Sequence, residues 1–212
     1  MKKLTLFLLF SLSVATTVQA VPLVVVNVSA PPINCVFDAS CTVVVNDTTA
    51  PINLPGSGTG FFQSRTFRGL PGSSAAGKYA YLYRVDLRNA VGTLSLGCVN
   101  SVTLNFGPVV STLDFNNDGA PGEQVFVVTG GGIGSVGIAS ADRVGSNITF
   151  TFSSPVCAGN GPGRGQSSFF WGLVSASPPR FVPASITHTL GSALSVQGRA
   201  PNYLFRGGRR RG

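Results

Sequence analysis

The chain has 212 residues, a formal net charge of +8 and only 10% charged residues. Its length allows one domain with a substantial core. Lys2 and Lys3 lie at the N-terminus, and five arginines fall within 199–212, so the basic charge belongs to the two ends of the chain. The body between them is nearly neutral, which excludes a surface specific for nucleic acid.

The first twenty residues have the pattern of a secretory signal peptide. Met1–Lys3 is cationic, Leu4–Val14 is almost wholly apolar, and small or compact residues lead up to Ala20. We therefore predict that residues 1–20 form a signal helix that is cleaved after Ala20. No later apolar run approaches the ~20 residues that span a bilayer. The mature chain is expected to be secreted, periplasmic or attached to the cell surface, without a transmembrane segment.

The composition of the mature chain predicts an all-β protein. It is rich in glycine, valine, serine, threonine and phenylalanine, and Glu123 is its only glutamate. β-Branched and aromatic residues favour strands, and glycine and proline spread along the whole length are typical of short strands joined by turns. The predicted fold is an antiparallel β-sandwich or jelly roll.

Three regions follow the signal peptide in chain order. Residues 21–58 form an N-terminal β segment with two β-branched runs and a small cysteine loop, and the proline- and glycine-rich stretch Pro51–Gly60 resembles a boundary. Residues 59–198 form the predicted sandwich body, and 199–212 a basic disordered tail. The candidate strands, from alternation of apolar residues and from composition, are Leu23–Val28, Thr42–Val45, Tyr79–Leu87, Val102–Phe106, Gln124–Thr129, Ile148–Phe152, Ser168–Val174 and Ser185–Leu190.

An even number of cysteines in an exported protein predicts disulfides. Cys35, Cys41, Cys98 and Cys157 allow three pairings. We favour Cys35–Cys41, because the loop between them is short and easily closed, which leaves Cys98–Cys157 as the second bond. A metal site is the alternative, although the spacing lacks C-x-x-C pairs and nearby histidines.

One polar cluster has the oxygen ligands that calcium prefers. Asp114, Asn116 and Asp118 place carboxylate and amide oxygens at alternate positions, and Gly119 permits the turn that such a loop requires. We therefore name Asp114, Asn116 and Asp118 as candidate calcium ligands. Calcium is the one cofactor that the sequence indicates, and the alternative is that the protein has none.

A hairpin turn explains the same cluster without a metal ion. The position that supplies a bidentate acid in a calcium loop is occupied by Val125, and Glu123 lies outside that register. Residues such as Asn, Asp and Gly also favour tight turns. The alternative is therefore a turn between a strand that ends near Leu113 and one that begins near Gln124.

Aromatic residues provide the candidate for ligand contact. Phe169, Phe170 and Trp171 are consecutive, so in a strand they must point to both faces of the sheet. Trp171 is the candidate for contact with a glycan by stacking on a sugar ring, and the alternative is that it belongs to the core, as aromatic residues on half-buried strands commonly do. His188, the only histidine, shares its face with apolar residues and is expected to be structural, and no G-x-S-x-G motif supplies a serine nucleophile.

The body of the chain resembles a family of exported, uncharacterised bacterial β-rich proteins, some of which carry PEP-CTERM sorting tails. The resemblance spans 58–197 and is carried by Tyr83–Gly92, Asp114–Thr129, Ile148–Gly159 and Ser168–Pro179. It implies an extracytoplasmic location and a sandwich-like body, and it implies no activity. The Pro-Glu-Pro motif and hydrophobic helix of the sorting tail are not found in this sequence, so we do not expect sorting by that route.

The leading functional hypothesis is a secreted, non-enzymatic structural, adhesive or binding module that contacts extracellular polysaccharide. An extracellular hydrolase is the first alternative, with a carboxylate pair drawn from Asp114, Asp118 and Glu123. A self-assembling surface subunit is the second, with the β-branched segment Val21–Ser29 adding to a sheet edge of a neighbouring copy.

Overall fold

The computed structural model describes residues 19–93, 95–108 and 110–203. The predicted signal peptide, apart from its last two residues, and positions 204–212 of the predicted tail lie outside this range. In chain order the elements are β1 (Val21–Pro22), β2 (Val25–Ser29), α1 (Pro32–Cys35), β3 (Asn46–Asn53), β4 (Thr59–Arg68), β5 (Tyr79–Asp86), β6 (Cys98–Asn105), β7 (Val125–Gly130), β8 (Ile138–Val144), β9 (Asn147–Cys157), β10 (Trp171–Ser175), β11 (Pro179–His188) and β12 (Leu194–Pro201).

The strands form two six-stranded sheets, which confirms the predicted all-β sandwich. The first sheet has the order β1-β8-β9-β6-β11-β12, and the second has the order β2-β7-β10-β5-β4-β3. Neighbouring strands are antiparallel except for β2 and β7, which run parallel. The N-terminal chain therefore crosses from the edge of the first sheet in β1 to the edge of the second in β2.

The main core lies between the two sheets and is filled by alternate residues of each strand. From β5 it takes Tyr81, Tyr83 and Val85, as the alternation in the sequence predicts. Trp171 of β10 lies against Phe150 of β9, with ring centroids 5.7 Å apart. Side chains of successive residues point to opposite faces of a strand, so the residues between these core positions face outward.

A second apolar core covers part of the outer face of the second sheet. Outward-facing residues such as Phe126 and Val174 pack there against Phe37 from the segment after α1, Phe115 from the loop before β7, and Ala75 from the β4–β5 loop. The ring centroids of Phe115 and Phe126 are 4.8 Å apart. These long connections are therefore tied to the sheet by apolar contacts.

Both predicted disulfides are present. Cys35 bonds Cys41 and closes the loop beside α1. Cys98 bonds Cys157, which lies directly opposite it where β6 begins and β9 ends. The described residues contain no free cysteine, and the metal-site alternative for these four residues is wrong.

The N-terminal region is part of the same sandwich. Thr42–Val45, predicted as a strand, has no regular secondary structure, and the strand β3 begins immediately after it at Asn46. β3 pairs with β4 along its whole length, so the predicted boundary near Gly58 is a hairpin turn within the second sheet. β3 is an edge strand, which is where Pro51 is tolerated, and its pairing with β4 overrides its low strand propensity.

The last strand extends beyond the predicted end of the body. Arg199 lies in β12, its backbone N–H donates to Ser64 Oγ at 3.3 Å, and its Nη1 donates to Thr66 Oγ1 at 3.1 Å. The prediction that the disordered tail begins at Arg199 is wrong, because this residue pairs within the first sheet and also bonds β4 of the second. In the part of the chain that the structure describes, no helix has the length and apolar character to cross a membrane.

Candidate functional site

The acidic cluster lies in a loop closed at its base by an antiparallel bridge. Leu113 and Glu123 exchange two backbone hydrogen bonds of 3.1 Å, which makes the segment between them a hairpin. Asn117 and Gly119 adopt positive φ values of 59° and 86°, the left-handed conformation that asparagine and glycine tolerate best. The hairpin turn considered from the sequence is therefore present.

Carboxylates hold the backbone of this loop. Asp114 accepts hydrogen bonds from the N–H groups of Asp118 at 3.1 Å and Gly119 at 2.8 Å. Glu123 Oε2 accepts from the N–H groups of Phe115 and Asn116. Since Glu123 is buried, these bonds satisfy a carboxylate that would otherwise be costly to remove from water.

The structure changes the candidate ligand set for a cation. Asp114, Asp118 and Glu123 each place a carboxylate oxygen within 4.8 Å of the others. The Asn116 amide instead turns its nitrogen toward Asp118, with Nδ2 donating to Oδ2 at 2.9 Å. Calcium prefers oxygen ligands, and three converging carboxylates fit it better than the predicted set. Calcium binding at this loop stays a prediction, with Glu123 in place of Asn116.

The residue spacing of a helix–loop–helix calcium site leaves Glu123 outside the predicted ligand set. In a hairpin the residues that meet are set by strand pairing, and the bridge to Leu113 returns Glu123 to the start of the loop. Two features of the sequence do indicate Glu123 as a ligand: it is the only glutamate in the chain, and it follows a turn-forming acidic segment.

The hydrogen bonds of these carboxylates do not favour the hydrolytic alternative. A glycosidase needs a general acid whose pKa is raised, facing a second carboxylate across a substrate cleft. Hydrogen bonds from the Ala120 N–H and the Asn116 side chain instead hold the pKa of Asp118 below its ordinary value. Asp114 and Glu123 are occupied by backbone N–H groups of their own loop. The geometry therefore gives these residues a structural use.

The prediction that Trp171 contacts a glycan is wrong, because its side chain is fully buried. Its ring packs against Tyr83, Phe150 and Phe152 between the two sheets. The preceding residue, Phe170, lies on the outer face of the second sheet and joins the second core. His188 is also buried, and its Nδ1 accepts a hydrogen bond from the Leu190 N–H, in keeping with a structural role.

The outer face of the first sheet is covered by hydroxyl and amide side chains. These side chains point outward because their neighbours along each strand, such as Phe150, Leu104 and Ala184, point inward to the core. We call this surface the hydroxyl face, and it comprises Ser101, Thr103, Thr149, Thr151, Ser185, Thr187, Ser195 and Gln197. On β6, β9 and β11 the described residues that point outward include no charged side chain.

Strand pairing arranges the hydroxyl face in rows across the sheet. Thr103 lies opposite Thr149 on one side and Ser185 on the other. The hydroxyls of Thr103 and Thr149 are 2.9 Å apart, and Ser101 Oγ donates to Thr187 Oγ1 at 3.0 Å. These bonds hold neighbouring hydroxyls in fixed positions and leave further donor and acceptor capacity for an outside partner.

An exposed aromatic ring borders the hydroxyl face. Phe181 of β11 is 54% exposed and lies opposite Arg199 of β12, whose guanidinium carbon is 5.2 Å from the ring centroid. A shallow pocket beside it is lined by Pro183, Ser195 and Gln197, among others. The ring and these polar groups are therefore accessible together on one surface.

Comparison of the chain with family models, with curated proteins and with solved structures finds no match. The resemblance to exported β-rich bacterial proteins therefore stays a prediction. The class that the structure defines is a disulfide-bonded, two-sheet β-sandwich with an acidic hairpin loop.

Proposed function

We propose that the mature chain is a secreted, non-enzymatic binding module that contacts extracellular polysaccharide through the hydroxyl face. The observation that carries this proposal is the difference between the two outer sheet faces. The second sheet has much of its outer face covered by the second core, whereas the hydroxyl face is an ordered polar surface open to the surroundings. Two disulfides are typical of proteins that work in oxidising extracytoplasmic compartments, which supports secretion.

The chemistry of the hydroxyl face matches that of a neutral glycan. Serine and threonine hydroxyls and the Gln197 amide can both donate and accept hydrogen bonds, as sugar hydroxyls do. The exposed ring of Phe181 offers an apolar surface on which a sugar ring can stack. The outward residues of β6, β9 and β11 are uncharged, and they are flanked by one charge of each sign, Asp142 opposite Thr149 and Arg199 opposite Phe181. The expected ligands are therefore neutral rather than acidic polysaccharides.

A glycan array probed with the purified mature protein tests the proposal. Binding to neutral polysaccharides is expected, and Phe181→Ala should weaken it about threefold to tenfold, the loss expected for one aromatic contact. Thr149→Val removes a hydroxyl at nearly constant volume and should also weaken binding. Phe61→Ala is the matched control, because Phe61 is a similarly exposed phenylalanine on the other sheet. A blank array, or equal effects of Phe181→Ala and Phe61→Ala, would contradict the proposal.

Strand addition between copies is the alternative function, and the structure shows what it would require. β1 pairs with β8 and β2 pairs with β7 of the same chain, and Leu23 and Val28 are buried. The segment Val21–Ser29 therefore already occupies two sheet edges and would have to be released before it could join another copy. Size-exclusion chromatography of the mature protein, with and without residues 21–29, tests this: a monomer in both cases argues against self-assembly.

A further inference from the structure

A cleft opens on the outer face of the second sheet, beside the second core. Its volume is about 230 Å³. It is lined by Ile33 of α1, by Val43 and Val45 of the segment before β3, and by Val128 of β7. The ring of Phe170 also lines it. The cleft is therefore mostly apolar, and it lies on the sheet opposite to the hydroxyl face.

Two guanidinium groups lie against the aromatic ring of this cleft. The guanidinium carbon of Arg65 is 4.3 Å from the Phe170 ring centroid, and that of Arg84 is 5.0 Å from the same centroid. Arg65 lines the cleft directly and its side chain is 30% exposed. Arg84 lies deeper and is nine-tenths buried. Two guanidinium groups, the partly exposed one of Arg65 and the buried one of Arg84, therefore face the same ring.

The hydrogen-bonding capacity of these arginines is only partly used by the described residues. Arg65 Nε donates to Asp47 at 2.7 Å, and Arg84 Nη2 donates to Asp86 at 2.9 Å. Nε and Nη1 of Arg84 are buried and have no partner among the residues that the structure describes. Buried guanidinium N–H groups without acceptors are costly. The buried Oε1 of Gln63, opposite Arg84 on β4, also has no partner among the described residues, so this oxygen and an added anionic group are the two acceptors that the site favours.

The charges around this cleft also favour an additional anionic group. Asp86 is shared between Arg84 and Arg88, since Arg88 Nη2 donates to it at 2.7 Å, and Asp47 pairs with Arg65. Three arginines thus share two carboxylates. Burial lowers the pKa of Arg84, as expected for a cation that lacks full compensation. One negative charge would neutralise the cluster.

We propose that this cleft binds a small organic acid with an apolar body, such as an aromatic or branched aliphatic carboxylate. The carboxylate pairs with Arg65 at the opening and supplies acceptors toward Arg84, while the body lies against Val43, Val45 and Phe170. Arginine presents its N–H groups in a planar fork that matches a carboxylate. An apolar pocket with a few convergent polar groups is the usual form of a small-molecule site. The proposal is independent of glycan binding, because it uses the other sheet.

Isothermal titration of the mature protein with hydrocinnamate and with its neutral amide, hydrocinnamamide, tests the proposal. Saturable binding of the acid is expected, with the amide at least tenfold weaker because it lacks the charge. Arg65→Gln should weaken binding of the acid roughly ten- to a hundredfold, the loss expected for a charge-assisted hydrogen bond, and leave the amide almost unchanged. Val43→Trp, which fills the cleft, should remove binding of both compounds without disturbing Arg65.

Arg143→Gln is the matched control, because Arg143 lies on β8 of the other sheet, and it should bind hydrocinnamate as the unmodified protein does. Circular dichroism of each variant confirms that it folds. If Arg65→Gln does not fold, Arg84→Met provides the second test. The proposal is overturned if a folded protein binds neither hydrocinnamate nor the branched 4-methylpentanoate at millimolar concentration. It is also overturned if acid and amide bind equally, or if Arg65→Gln and Arg143→Gln behave alike.

Discussion

Removal of the Cys98–Cys157 disulfide should cost far more stability than removal of Cys35–Cys41. The first bond joins residues 59 apart in the sequence, and the second joins residues 6 apart. In the chain-entropy model the constraint on the unfolded state grows with loop length. These separations correspond to about 4 kcal/mol for the long loop and about 2 kcal/mol for the short one.

Equilibrium unfolding in urea measures this difference. The double variant Cys98→Ser with Cys157→Ser should lower the unfolding midpoint by about 2 M, and the double variant at Cys35 and Cys41 by about half as much. Both cysteines of the long-loop bond are partly exposed, so the new hydroxyls can reach water and add little cost of their own. The comparison therefore isolates the effect of the closed loop.

The position of the long-loop bond gives an independent check. Cys98 and Cys157 face each other next to an irregularity in the β6–β9 pairing, and the rest of that ladder runs from Ser101 to Asn105 without the disulfide. The native sheet should therefore survive in the variant, with an unchanged far-ultraviolet circular dichroism spectrum before the transition. If the long-loop variant loses no more stability than the short-loop variant, restriction of the unfolded chain is not the main contribution of this bond.

Three further predictions concern titration and metal binding. Burial partly desolvates Asp86, but hydrogen bonds from Arg88 and the charges of Arg84 and Arg88 outweigh this and hold the pKa of Asp86 below the ordinary 3.8. The contribution of Asp86 to stability is therefore present above about pH 4 and lost as the pH falls through its folded-state pKa. Asp86→Asn should flatten the acid limb of a plot of stability against pH. Burial raises the pKa of Tyr81 and Tyr83 well above 10; stability should fall as the pH rises above about 10, and an ultraviolet titration that ionises these two tyrosines without unfolding would contradict their burial. Millimolar calcium should raise the melting temperature, a chelator should reverse the rise, and Glu123→Gln should remove it, whereas no shift in the unmodified protein would leave the loop as a hairpin turn alone.

The strands predicted best are those whose alternation matches their burial. Tyr81, Tyr83 and Val85 face the core as their spacing predicts, and the same holds for Ile148 and Phe150. Such strands are recognisable because each contributes one apolar face to a core between two sheets. The local pattern does not predict β3, because its Asn, Asp, Ala and Pro residues have little strand propensity and its conformation depends on pairing with β4.

The candidate site was predicted only in part, and the errors share one cause. Three consecutive aromatic residues cannot all share one face, which makes Trp171 a candidate for the surface, but the sequence does not show that both faces of the second sheet are covered. Glu123 is absent from the predicted calcium ligands because linear spacing does not show which residues a hairpin brings together. In both cases the missing information was the pairing of distant segments.

The crossing of the N-terminal chain from one sheet to the other has a consequence for when the protein can fold. Val21 pairs with Arg143, and Val25 pairs with Val125, so the first strands of the mature chain have no partners until most of the sequence has been synthesised. Pairings between such distant segments make folding slow. During synthesis β1 and β2 therefore stay unpaired, and the two sheet edges close only after β7 and β8 are available.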